Sequence, residues 1–317
     1  MSIAESGAGP PRSRVKPRGE FGARALNFRE AVIHGLLLAC ALISVFTTFA
    51  IVFILLEETA AFFSEISPVT FFGGTRWTPL FEPANYGVLP LLAGTLVISI
   101  VAAAFAVPLG LLTAVFLSEY APSWLRAIVK PILEVLAGIP TVVLGFFALF
   151  FIAEDVVKPL FNTPQLFSAL AAAIAIGIMV IPLVASLSED AMQAVPRSLR
   201  EGAYALGATR FEVTLRVVVP AALSGIVAAF ILAVSRAIGE TMIVALAAGS
   251  TPNLTWNPLE PMQTMTAYIV AVSLGDTPQG SLEFRTIFAV AMTLFLMTFA
   301  MNIFSQYLLR KFREVYE

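Results

Sequence analysis

Apolar residues in this chain run on without interruption for about 20 or more positions at a time, the length that crosses the hydrocarbon of a bilayer. Six such runs stand at about 32–56, 88–117, 132–153, 166–187, 221–248 and 286–309, separated by polar stretches that hold most of the charge. A soluble core hides its apolar side chains in segments of about 12 residues, so these runs predict transmembrane helices rather than a globular interior. The expected fold is all-α and polytopic, with six spans and both termini on one side. Pro108, Pro140 and Pro182 lie inside runs, where each removes a helix hydrogen bond and bends the helix, so the spans should be bent and packed together. No repeat with the period of a solenoid is visible.

The flanks complete this outline. Residues 1–30 contain GAGPPRSRVKPRG and show no helical period, which predicts a mobile tail. The run at 32–56 is too long for a signal-peptide core and should persist as a first transmembrane helix, with an outer loop to 87. A core of spans would fill 88–309, with a polar segment at 188–220, and 310–317 would form a short tail. Fifteen of the nineteen basic residues fall on one side, in the N-terminal tail, at Arg126 and Lys130, between Arg197 and Arg216, and between Arg310 and Arg313. The other side holds Arg76, Lys158 and Arg285, and Arg236 sits within a span. Because cytoplasmic loops retain basic residues, both termini are expected in the cytoplasm, with outer loops at 57–87, 154–165 and 249–285. Trp77 and Trp256 fall in those loops and should mark the outer interface.

Composition agrees and narrows the chemistry. The chain is 58% hydrophobic and 13% charged with mean hydropathy +0.88, against about 25% charged in soluble domains. A net charge of −2 gives no ground for a nucleic-acid partner. One cysteine, Cys40, cannot form an intrachain disulfide or a thiolate metal cluster, and one histidine, His34, sits at the mouth of the first run. There is no GxxxxGK[ST], HExxH or CxxC, so no metal, cofactor or enzymatic activity is expected. Energy for active transport would come from a partner. Ion-gradient coupling would need intramembrane acids, and only Glu240 lies deep in a span, with Glu134 near the start of another.

Two constellations carry the remaining information. Residues 188–220 read SEDAMQAVPRSLREGAYALGATRFEVTLRVVVP, helix-prone but too polar to cross lipid. Leu199, Ala203 and Leu206 share a helical face, Gly207 permits a sharp turn, and a second helical pattern runs over 209–219 before Pro220. Shape alone allows either docking into a partner or rest on lipid headgroups. In the fifth run, Arg236 stands about 15 residues in, or roughly 22 Å at about 1.5 Å per residue. A charge there costs about 2.5–3.5 kcal/mol and must face a partner or a wet cavity. Glu240 follows one turn later and can pair with it, so the two form either a helix-pinning ion pair or an anion waystation. In the second reading Arg236 attracts oxyanions by charge-assisted hydrogen bonds, and Glu240 holds it or tunes its charge. Ser235 and Thr241 add hydroxyls that by default satisfy their own backbone. Lys130 and Glu134 read as an interfacial i,i+4 pair, and Gly138-Ile139-Pro140 as a helix break.

Glu201, Gly202 and Ala203, three residues, Gly207, nine residues, then Val217, Val219 and Pro220 resemble the EAA-type loop of bacterial ABC importer permeases. Gly202 replaces the middle alanine, and valines replace Ile and Leu. The resemblance implies a coupling helix seated in a groove of an ATPase subunit, receiving its stroke through 201–207. TRWTPLFEPANYGVLPLLAGTL (75–96), LSEYAPSWLRAIVKPILEVLAGIPTVVLGFFAL (117–149) and SRAIGETM (235–242) resemble the PstC-type permease of the bacterial phosphate importer. The likeness covers about 68–317, and the long outer loop before Tyr86-Gly87-Val88 favours this type over the paired PstA type. It implies a type I importer (MetI-like) fold in the bacterial inner membrane, forming half of a path for inorganic phosphate past the Arg236/Glu240 pair. The implied partners are a PstA-type permease, two copies of a PstB-type ATPase and a PstS-type phosphate-binding protein outside. Two alternatives stay open: a permease for molybdate or sulfate, and a membrane scaffold or sensor for an ATPase or regulator.

Overall fold

The structure is a computed structural model that describes the backbone of residues 20–312 and the side chains of residues 30–307. Described residues are helices and connections, with one isolated antiparallel bridge between Trp77 and Tyr86. The first helix, α1 (Glu20–Glu65), starts inside the stretch expected to be a tail. Beyond Pro17 and Gly19 no proline interrupts the chain, and adding residues to an existing helix is far easier than nucleating one, so the apolar run extends its helix backwards. The rest of the expected N-terminal tail, 1–19, lies outside the described residues.

Two compact units, 1–54 and 55–317, divide the chain within α1. In the first, Leu37, Phe46, Phe49 and Phe53 are all exposed, an apolar surface around the whole helix that suits lipid.

The second unit continues with α2 (Pro68–Gly73), α3 (Leu89–Tyr120), α4 (Ser123–Ala137) and α5 (Thr141–Phe161). It closes with α6 (Ala169–Gln193), α7 (Arg197–Ala205), α8 (Arg210–Ala221), α9 (Leu223–Ile238), α10 (Met242–Ala247), α11 (Met265–Ser273) and α12 (Leu282–Phe312). Four helices are long and apolar enough to cross a membrane, or up to six if the bent pairs α4/α5 and α8/α9 each make one span. The third run is therefore no straight rod. It turns by 87° at the expected Gly138-Ile139-Pro140 break, where Pro140 cannot supply the N–H that would continue α4. The fifth run departs further from expectation: α8 meets α9 at 70°, and α9 stops at Ile238 before α10 resumes at Met242. At the other end α12 continues to Phe312, into the segment expected as a tail from 310, and 313–317 lie outside the described residues.

Packing of α3 on α6 centres the unit. Ala102, Ala106, Ala172, Ala173 and Ile176 are buried in one cluster there. A Cβ added at Gly110 would come within 2.6 Å of Val184 Cβ, so the two helices touch where only glycine fits. Phe62, Phe71, Trp77, Leu91, Tyr268 and Ile287 form a second cluster, and Ala114, Met192, Val213, Val218 and Ile226 a third. Trp77 is thus a core residue, only 2% exposed and edge-on to Tyr268 at 5.0 Å, not an interface marker. The loop that carries it folds back through the Thr78 N–H donating to Asn85 O at 2.8 Å, which turns the indole inward. Trp256 remains exposed.

Candidate functional site

The candidate residues fall in two places. Arg236, Glu240, Ser235 and Thr241 surround the break between α9 and α10, whereas Glu201, Gly202, Ala203 and Gly207 lie on α7 and its exit, and Val217, Val219 and Pro220 on α8.

At the break the expected ion pair is absent. Glu240 is buried, and its carboxylate accepts from the backbone N–H groups of Met242 at 3.1 Å and Ile243 at 3.3 Å. It therefore caps the first turn of α10, where free N–H groups favour negative charge. Its backbone carbonyl accepts from Thr266 Oγ1 at 2.7 Å, which fastens the break to α11. Once the chain leaves α9 at Gly239, helical i,i+4 geometry no longer holds, and Glu240 turns away from Arg236. Arg236 is exposed, and its guanidinium meets the Met179 thioether at 4.0 Å with no carboxylate paired to it among the described residues. Ser235 departs from its default: Oγ is buried without a hydrogen-bond partner. Thr241 Oγ1 donates to Gly239 O at 3.2 Å, as a hydroxyl satisfying local backbone does. The arrangement offers an unpaired, exposed guanidinium about 13 residues into α9, or roughly 20 Å at about 1.5 Å per residue, with the unsatisfied Ser235 hydroxyl buried on the preceding residue.

In the second place α7 is short and amphipathic. Glu201, Gly202 and Gly207 are exposed, and Ala203 is half-buried against the third cluster. Gly207 has φ +84°, the left-handed conformation that ends a helix without strain only in glycine or asparagine. Thr209 then opens α8 with a capping box: its hydroxyl accepts from the Glu212 N–H at 3.4 Å, and Glu212 Oε2 accepts from the Thr209 N–H at 2.9 Å. That N–H, followed by the hydroxyl, holds the Glu212 carboxyl below the usual carboxylate range. Val217 and Val219 pack on the third cluster, and Pro220, expected as a stop, sits inside α8, where its missing N–H falls at a widened turn.

A third group of polar residues was not assembled from sequence, which singled out only Lys130 among them. Glu189, 1% exposed near the end of α6, takes Lys130 Nζ at 2.8 Å and Arg126 Nε at 3.6 Å. Lys130 also reaches Asp190 at 2.6 Å, so its partners lie on α6 and the expected pairing with Glu134, which is exposed, does not form. Glu119, in the last turn of α3, takes Arg200 Nη2 of α7 at 3.1 Å. The signal lay in the sequence: acids just past the ends of apolar runs, each next to a basic polar segment, and Thr209-x-x-Glu212 as a helix start.

Residues 106–314 match the family described as binding-protein-dependent transport system inner membrane component. The chain is 36% identical over 85% of its length, and 87% of the relative's, to a probable ABC transporter permease protein, YqgH, of Bacillus subtilis. It is 32% identical to the phosphate transport system permease protein PstC of Xylella fastidiosa over 83% of this chain and 88% of that one. Among solved structures, a bacterial ABC transporter involved in the import of the acidic polysaccharide alginate superposes with TM-score 0.66 at 16% identity, covering 90% of this chain and 97% of that one. The MetNI methionine ABC transporter in inward-facing conformations gives 0.54 at 19% identity, over 72% and 95%. These two likenesses concern the fold.

Proposed function

We propose, for a chain that belongs to the binding-protein-dependent transport system inner membrane component family and is a multi-pass permease subunit of an ABC importer rather than an enzyme, that its cargo is inorganic phosphate. The observation that carries the reading is the unpaired Arg236 in the last turn of α9, beside the break at Gly239 and about midway along the fifth apolar run. An isolated guanidinium at that depth is costly unless it meets an anion or water, and its planar fork suits phosphate oxygens. Glu240 does not cancel it, because the α10 N–H groups already hold that carboxylate. The relatives named as phosphate permeases point to the same cargo. Arg236 and Thr241 form one wall of the path, Ser235 stands behind that wall with its hydroxyl buried, and Glu240 sets the shape of the break.

A second permease of PstA type completes the path, two PstB-type ATPases drive it through α7 and Gly207, and a PstS-type protein delivers phosphate from outside. One arginine cannot tell phosphate from sulfate, so the binding protein supplies most of that discrimination. Proteoliposomes holding the four-component complex should take up phosphate with ATP, and loaded binding protein should stimulate hydrolysis. Uptake of sulfate or molybdate in place of phosphate would overturn the substrate; hydrolysis with no uptake of any anion would favour a sensor.

Both termini lie in the cytoplasm in this reading, on the strength of the basic-residue asymmetry. In a Cys40→Ser background, a cysteine at Asn253 should react with an impermeant thiol reagent from outside, and one at Arg210 only after permeabilisation. The reverse pattern would invert the orientation.

A further inference from the structure

We infer that Arg200 and Glu119 form a strut that makes α7 and the inner end of α3 move as one body, so that a displacement of α7 reaches the spans. This rests on the reading of α7 as the element an ATPase moves.

α7 has little else to hold it. None of its side chains is fully buried, and Leu206 at its exit is 90% exposed. Apolar packing from this helix is limited to half-buried contacts such as Ala203 on the third cluster, whereas Arg200 makes directional bonds to two spans. Its guanidinium binds two spans at once: Nη2 meets Glu119 Oε1 of α3 at 3.1 Å and donates to Met192 O of α6 at 2.7 Å. Nη1 donates to Val195 O, just past the end of α6, at 2.8 Å. The last carbonyls of a helix lack internal partners and favour a cation, so this fork fits the end of α6.

Glu119 is 7% exposed and is further held by the Ser118 hydroxyl, which donates to it at 2.9 Å. A buried carboxylate so placed strongly resists losing its cation. Arg126 of α4 repeats the arrangement, donating to Leu117 O at 2.6 Å and Ser118 O at 2.7 Å at the end of α3 while reaching Glu189 of α6. The inner ends of α3, α4 and α6 are thus locked together. Arg200 joins α7 to that block through a directional hydrogen-bonded fork, which slides less readily than an apolar contact.

Arg200 and Glu119 are positioning residues; neither touches cargo. The test uses the full reconstituted complex with Glu119→Gln, Arg200→Gln and the double variant, reading assembly, ATP hydrolysis and phosphate uptake per ATP. Each single variant should keep the ATPase bound and at least about half of the hydrolysis, yet lose uptake per ATP about fivefold or more. The double variant should lose no more than either single one, because partners in one contact do not add. Spin labels at Ser198→Cys on α7 and Leu112→Cys on α3, in Cys40→Ser, supply a readout independent of cargo. Their separation should be the same with and without trapped ATP in the otherwise native protein, and should shift or broaden in Glu119→Gln. Uptake and hydrolysis falling in proportion, additive losses, or a separation insensitive to Glu119→Gln would each overturn the strut. A native complex that hydrolyses ATP without moving phosphate would instead refute the phosphate reading, and the spin labels would still decide the strut.

Discussion

Arg236→Gln is expected to cut phosphate uptake about a hundredfold without lowering the protein's abundance or its unfolding midpoint in detergent. Two charge-assisted hydrogen bonds at about 1.5–3 kcal/mol each would be lost to the passing anion, enough for a hundredfold effect. Stability should hold or rise, because an unpaired charge leaves a depth where it costs about 2.5–3.5 kcal/mol. An ion pair with Glu240 predicts the opposite sign, since breaking a buried pair costs about 3–5 kcal/mol. The Glu240 carboxylate, held by the Met242 and Ile243 N–H groups, is not stranded when the arginine goes. Glu240→Gln retains an acceptor for the cap and should keep most uptake, whereas Glu240→Ala should lose about 1 kcal/mol of stability through the missing cap. Arg236→Lys keeps the charge but not the fork and should fall between native and Arg236→Gln. Uptake into proteoliposomes, normalised to assembled complex, checks the series. Near-native uptake by Arg236→Gln, or a marked drop in its unfolding midpoint, would remove Arg236 from the path.

What the sequence revealed follows from the range of the forces involved. The all-helical, multi-span character was legible because lipid demands long apolar runs, of which four became membrane-length helices and two became bent pairs, and the break at Gly138-Ile139-Pro140 was legible because proline acts locally. The break after Ile238 was not legible, since Gly239 alone is a weak signal and the Thr266 and Glu240 contacts that stabilise the break come from residues far apart or from a cap that helical spacing disguises. Spacing four apart predicted Arg236 with Glu240 and Lys130 with Glu134, and both pairings failed for one reason. An i,i+4 pair gains only about 0.2–0.5 kcal/mol, less than a buried partner on another helix or a row of free N–H groups can offer. Lys130 accordingly turns to Glu189 and Asp190 on α6. Trp77 was misplaced likewise, because loop membership says nothing about the direction in which an ordered loop faces.

Gly207→Val should leave the protein inserted and its ATPase bound, while uptake per ATP hydrolysed falls about tenfold, because a left-handed turn costs a β-branched residue about 1–2 kcal/mol. Steric conflict with neighbours cannot be the cause: a Cβ built at Gly207 meets nothing within 4 Å, so the requirement lies in φ +84° alone. That separates Gly207 from Gly110, where any side chain would strike Val184. The turn fixes the angle at which α7 leaves for α8. The Gly207 N–H donates to Tyr204 O at 2.9 Å on one side, and the Thr209 capping box starts α8 two residues later on the other. A valine forces φ negative, so either the α7 cap or the α8 box must open, and α7 then presents a changed face to the ATPase. Asparagine, which tolerates left-handed backbone, provides the discriminating control. Gly207→Asn should retain uptake per ATP within about twofold and Gly207→Ala should lie between, following the conformational penalty and not side-chain volume. A series that follows volume, with Gly207→Asn worse than Gly207→Ala, would mean that the exposed surface at 207 is itself the contact and the backbone turn is incidental.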